Sequence, residues 1–191
     1  MRYLAGFTVA LFTAACIGAG PGADRRFSSL AGPAREGDVD TLRRLIAAGA
    51  NPNAVDPGGN HWTPLMHAIH KQQAGAVTLL LELGADPDRS AGSLKPLLMA
   101  VATGNATIVR RLLASGADPR ADPDILVTAV SGGALSDLDN PLLGHCNTDV
   151  ARALMAKAPD LRLKRGPRGH LALLFAKLNR CSDVLQLARG M

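Results

Sequence analysis

Few side chains in this chain are of kinds that do chemistry, and their spacing limits what they can do. The five histidines are His61, His67, His70, His145 and His170. His67 and His70 stand three apart, so on a helix they would share one face. Zinc needs three or four converging ligands with hydrogen-bond partners behind them. Two histidines fall short of that, and no metal or cofactor is assigned. No nucleophile elbow, phosphate loop or carboxylate pair in an evident pocket is present. The chain is therefore read as a non-enzyme. The densest charge cluster, Arg162-Leu163-Lys164-Arg165-Gly166-Pro167-Arg168, could meet an acidic partner or anionic lipid heads, but it reads first as a solvated loop.

The elements that hold these residues follow from composition and periodicity. Aromatics make up only 3% of the 191 residues, so a core must be built from Leu, Ala, Val and Ile, which suits closely packed small helices. The net charge of +5 is dispersed and lacks interleaved aromatics, so no nucleic-acid partner is expected. Met1-Arg2-Tyr3 is a short positive start, Leu4 to Ala15 is an apolar run of about twelve residues, and small residues follow to Ala23. That is the layout of a secretory signal peptide, too short to span a membrane comfortably. Thr13-Ala14-Ala15-Cys16 also resembles a lipoprotein box, in which Cys16 would be lipidated; Thr13 stands where leucine is usual. Residues 1–23 are thus read as a leader and tether, and the body of the protein as exported.

Gly49-Ala50, Gly84-Ala85 and Gly116-Ala117 recur at spacings of 35 and 32 residues, each followed by Asn-Pro or Asp-Pro. An apolar helix precedes each mark: Leu42, Leu45 and Ile46; Val77, Leu80 and Leu81; Val109, Leu112 and Leu113. The i, i+3, i+4 spacing gives each helix one buried face, and the glycine supplies the left-handed turn that ends it. Thr63-Pro64-Leu65 and Lys95-Pro96-Leu97 open shorter helices upstream, with proline at the first helical position and Thr63 placed to cap. Gly37-Asp38 and Gly104-Asn105 make the turns between paired helices.

These residues are similar to the ankyrin repeat family over residues 28–190. Thr63-Pro64-Leu65 with Ala68 and Gly84-Ala85-Asp86 is the most specific copy; Lys95-Pro96-Leu97 with Ala100 and Gly116-Ala117-Asp118 is the next. The resemblance implies an all-α solenoid of about five stacked helix-turn-helix units with β-turn fingers. Repeats are expected at about 28–55, 56–88, 89–120, 121–160 and 161–191, with an inserted loop at about 134–147. Met66 replaces the family's histidine and His67 falls one place later, so His67 is expected to point into the stack, with His61 on the finger. The last unit is read from Leu171, Leu174, Phe175 and Leu178, then Val184, Leu185 and Leu187.

The resemblance also places Cys146 and Cys181 at the start of the second helices of neighbouring repeats. In an oxidising compartment the two would bond, closing a loop of about 35 residues that stabilises by roughly 4 kcal/mol in the chain-entropy model. Family partners dock on fingers and first helices, which here correspond to Arg35, Glu36, His61, Trp62, His70, Lys71, Leu94, Ala102 and Thr103. The second finger is longer by two, within Asp56 to His61, and the sole tryptophan follows. The expected function is a monomeric envelope module that binds another protein around Trp62. Alternatives are a lipid-anchored envelope structural factor and an immunity protein that neutralises a toxin.

Overall fold

A computed structural model describes residues 30–57, 60–131, 146–161, 166–178 and 181–189. The leader, most of the expected insertion with His145, and residues 162–165 of the basic run lie outside these segments. Ten helices and no strand occur among the described residues. They fall into five pairs: α1 (Ala31–Glu36) with α2 (Val39–Ala47), α3 (Pro64–His70) with α4 (Ala74–Glu82), α5 (Pro96–Ala102) with α6 (Ala106–Ala114), α7 (Ile125–Ser131) with α8 (Thr148–Lys157), and α9 (Gly166–Leu178) with α10 (Ser182–Arg189). The first helices pack in one layer, α1 on α3, α3 on α5, α5 on α7 and α7 on α9; the second helices form a parallel layer behind them.

The local chemistry explains the pairing. Pro64 and Pro96 start α3 and α5, and the Thr63 hydroxyl accepts from the Met66 amide at 3.3 Å. Asp38 and Asn105 cap α2 and α6 by accepting from Thr41 and Ile108. The Thr41 hydrogen bonds hold the Asp38 carboxyl below its ordinary value. Gly37 and Gly104 turn between helices at φ 76° and 72°. Gly49, Gly84 and Gly116 end the second helices at φ 98°, 89° and 99°. Such backbone favours glycine because a Cβ would clash locally.

One continuous core runs between the layers, with Leu42, Leu65, Leu80, Leu97, Ile108, Leu112, Ile125 and Leu154 wholly buried. The last unit departs from its expected stripe. Ala172 and Ala176 face the core, whereas Leu171 and Leu174 are 42% and 51% exposed. The register explains this: Cys181 donates to the Ala176 carbonyl as Gln73 does to that of Ala68, so Leu174 takes the place of Met66. Met66 is covered; no further described repeat follows to cover Leu174.

The fingers are laced together. Asn53 donates to the Gly84 carbonyl at 2.9 Å and accepts from the Asp86 amide at 2.7 Å. Asp88 accepts from the Asp118 amide, and Arg120 Nε donates to Asp160 at 2.8 Å. A second column of contacts joins the turn of each repeat to the N-cap of the next. Gly37 lies against Gln73, Gln72 pairs with Asn105 at 3.5 Å, and Gly104 lies against Asn147. The fourth member of this column is covalent: Cys146 and Cys181 form a disulfide, with Cα atoms 5.8 Å apart.

Candidate functional site: the second finger and the first helices

The long second finger is closed by its own backbone, the Asp56 amide donating to the Trp62 carbonyl at 2.8 Å. Its acid then turns inward. Asp56 is 3% exposed and accepts a hydrogen bond at 3.1 Å from Nε2 of His67, itself 4% exposed. That contact assigns the Nε2–H tautomer. His67 therefore points into the stack as the sequence implies, but its partner comes from the finger. Burial pulls His67 below the ordinary imidazole value; the Asp56 hydrogen bond pulls the other way, and Arg35 and His70 nearby reinforce the burial. The ring is neutral at pH 7.

Trp62 lies over this pair. Its ring centroid is 5.4 Å from that of His67 and 5.1 Å from that of His70, tilted in both cases. It packs partly buried against the core. It is therefore not the free aromatic on a stem that the sequence suggests. Its ring contacts are to His67 and His70 of helix α3, and it keeps intermediate exposure. Sequence spacing places two histidines on one helix face; nothing in it shows that a tryptophan would fill the space across them.

The other docking candidates divide by exposure. His61, at φ 51°, and Lys71 are exposed beside Trp62. Arg35 and Glu36 are exposed on α1, and Arg35 is near enough to His67 to act on its charge. Leu94 and Thr103 are partly buried, the Thr103 hydroxyl donating to the Ala100 carbonyl. Ala102, at 8% exposure, is buried and offers little surface to a partner. The structure thus gathers Arg35, His61, Trp62, His70 and Lys71 around repeats one and two, apart from Leu94 and Thr103. Among the described residues no three His, Cys, Asp or Glu side chains converge as a metal site, and no helix is long and apolar enough to cross a membrane.

A stack of helix pairs with laced fingers and an inner layer of short helices defines a repeat scaffold. Residues 30–122 match the family described as ankyrin repeats (3 copies). The chain belongs to the ankyrin repeat family, whose members are generally protein–protein interaction modules and typically not catalytic. It is 44% identical over 84 residues to a glycerophosphocholine phosphodiesterase of Schizosaccharomyces pombe, covering 42% of this chain and 7% of that protein. It is 32% identical over 147 residues to an E3 ubiquitin-protein ligase of Arabidopsis thaliana, covering 74% and 9%. It is 34% identical over 115 residues to zygote-specific protein 3 of Chlamydomonas reinhardtii, covering 59% and 30%. The chain spans less than a third of the length of each of these relatives.

Proposed function

We propose that this chain is an exported bacterial binding module that docks a partner protein on its second finger and on the first helices of repeats one and two. The observation that carries the reading is the anchored finger. A buried Asp56–His67 pair and a partly buried Trp62 hold the two ends of the finger, with His61, His70 and Lys71 adjoining in sequence and Arg35 near enough to act on His67. A rigid, pre-organised surface loses little entropy on binding. A partly exposed tryptophan on such a surface is a residue type that anchors affinity in protein interfaces. The activities of the relatives belong to much longer proteins and are not carried over.

Export rests on the residues: Met1-Arg2-Tyr3, the apolar run, and the small-residue exit around Cys16. Mass spectrometry of the mature N-terminus tests it, because a chain that keeps Met1 and its whole leader sinks the export reading, while a diacylated Cys16 makes it a lipoprotein. For docking, crosslinked complexes are recovered from the native cell with wild-type protein and with Lys71→Glu and Arg35→Glu. Both residues are exposed, and circular dichroism checks that each variant keeps the wild-type fold. Loss of one defined partner from both variants is the expected result; the same partner retained at equal yield removes this face from the interface.

A further inference from the structure

The Cys146–Cys181 disulfide sits differently on its two sides. Cys146 is partly buried and lines an open cleft of about 340 Å³, together with Asn147, Thr148, Asp149, Arg152 and Asp183. Cys181 is 6% exposed and lies inside the core cluster. An incoming thiol therefore reaches the Cys146 sulfur first.

The leaving side is also set by position. The Cys181 carbonyl accepts from the Leu185 amide, which makes Cys181 the N-cap of α10, a helix of 8 residues. It occupies the place that Asp38 and Asn105 hold in α2 and α6. Those residues receive the amide three positions on, from Thr41 and Ile108. The Val184 amide is the corresponding donor for a sulfur at Cys181. A thiolate formed there has that amide and the positive end of the helix to stabilise it, against the cost of charge at a site only 6% exposed. Cys146 has no such environment: it precedes Asn147, the N-cap of α8, and Asp149 and Asp183 share its cleft. A better-stabilised thiolate leaves faster in disulfide exchange.

We propose that Cys146–Cys181 is a thiol-exchange site, attacked at Cys146 through this cleft by an external dithiol, with Cys181 leaving as a helix-capping thiolate. The attacking thiolate forms a mixed disulfide with the Cys146 sulfur, and the electron pair of the protein S–S bond goes to Cys181. The second thiol of the reductant then attacks its own sulfur in the mixed disulfide. That step releases Cys146 as a thiolate, which takes up a proton. The dithiol is oxidised to its disulfide and the protein disulfide is reduced by two electrons. The disulfide cross-link between repeats four and five thereby becomes reversible.

A monothiol traps the first step. The full native chain is exposed to reduced glutathione, quenched in acid, and its free thiols are blocked with N-ethylmaleimide. Peptide mass spectrometry then reads each cysteine separately from Cys16. The expected intermediate carries glutathione on Cys146 and maleimide on Cys181, in excess of the reverse isomer by about tenfold or more. An equal mixture, the reverse isomer, or no exchange without denaturant overturns the proposal. A second measurement reads the leaving group directly. In Cys146→Ser, alkylation of Cys181 against pH should show a thiol titrating below the ordinary cysteine value, the helix N-terminus outweighing the burial. Titration at or above that value overturns it. If circular dichroism shows Cys146→Ser unfolded, the same titration is done on the reduced wild type.

Discussion

Replacing Asp56 by alanine tests how the second finger is held. Asp56 and His67 are 3% and 4% exposed, so water cannot readily take the place of the lost partner. A hydrogen bond to a charged group contributes about 1.5–3 kcal/mol, and an orphaned buried donor costs a similar amount. The carboxylate is itself costly to bury, which offsets part of the loss. A net destabilisation of about 2 kcal/mol is expected, which lowers Tm by about 4–8 °C in a domain of this size. A double-mutant cycle with His67→Ala should return a coupling of about 1.5 kcal/mol, because packing losses at each site cancel in the cycle. Trp62 is the only tryptophan, so its emission follows this pocket alone while circular dichroism follows the whole stack. A coupling below about 0.5 kcal/mol would refute the claim that the pair anchors the finger. The pH dependence has a definite sign. The folded-state pKa of His67 lies below its unfolded value near 6.5, so the unfolded chain takes up the proton first on acidification. Stability contributed by neutral His67 is complete above pH 6.5 and is lost as pH falls through the folded pKa. The difference in stability between wild type and His67→Gln should shrink over that window. In Asp56→Ala the window extends to lower pH, because the carboxylate that raises the histidine is gone.

Three further perturbations probe the stack. Asn53→Ala removes two hydrogen bonds to the next finger, but its partners can turn to water, so a loss of about 1 kcal/mol in urea unfolding is expected. Gly104→Ala places a Cβ 2.9 Å from the Asn147 amide on backbone at φ 72°, and should cost about 1–3 kcal/mol, partly recovered by adding Asn147→Gly. Leu112→Ala empties a wholly buried site and should cost about 3 kcal/mol by the same assay.

What the sequence reveals follows the range of the interaction. Gly49, Gly84 and Gly116 are visible because one residue type meets one backbone demand. Thr63-Pro64, Asp38 and Asn105 are visible because a cap spans only three positions. The Cys146–Cys181 bond is visible once the period is known, since it joins equivalent edges of adjacent repeats. Asp56 is different. In a connection with Pro57, Gly58 and Gly59 it has the look of a solvated turn acid, and its burial depends on the path of a lengthened loop for which the period gives no register. Ala102 falls at a docking position of the period but is buried, which depends on packing around α5 that the period does not show. Leu171 and Leu174 carry the expected helical spacing yet point away from the core, because alanines 172 and 176 allow the close approach of α9 to α7. Apolar spacing alone does not say which of two apolar stripes will be buried.

The column that joins each turn to the following N-cap gives the disulfide its physical context. Side-chain contact suffices at Gly37–Gln73, Gln72–Asn105 and Gly104–Asn147, where the repeat that receives the contact has a further repeat beyond it. In a stack each repeat is stabilised by its neighbours, so fewer neighbours mean easier opening. The N-terminal unit buries Leu30, Ala31 and Ala34 and caps α2 through Asp38. The C-terminal unit packs Ala172, Ala176 and Val184 into the core and leaves Leu171 and Leu174 open. A covalent bond there acts on the unfolded chain, by an entropy of closure that does not depend on packing. It thus holds a unit that leaves Leu171 and Leu174 open, and in the proposed exchange that contribution follows the redox state of the surroundings.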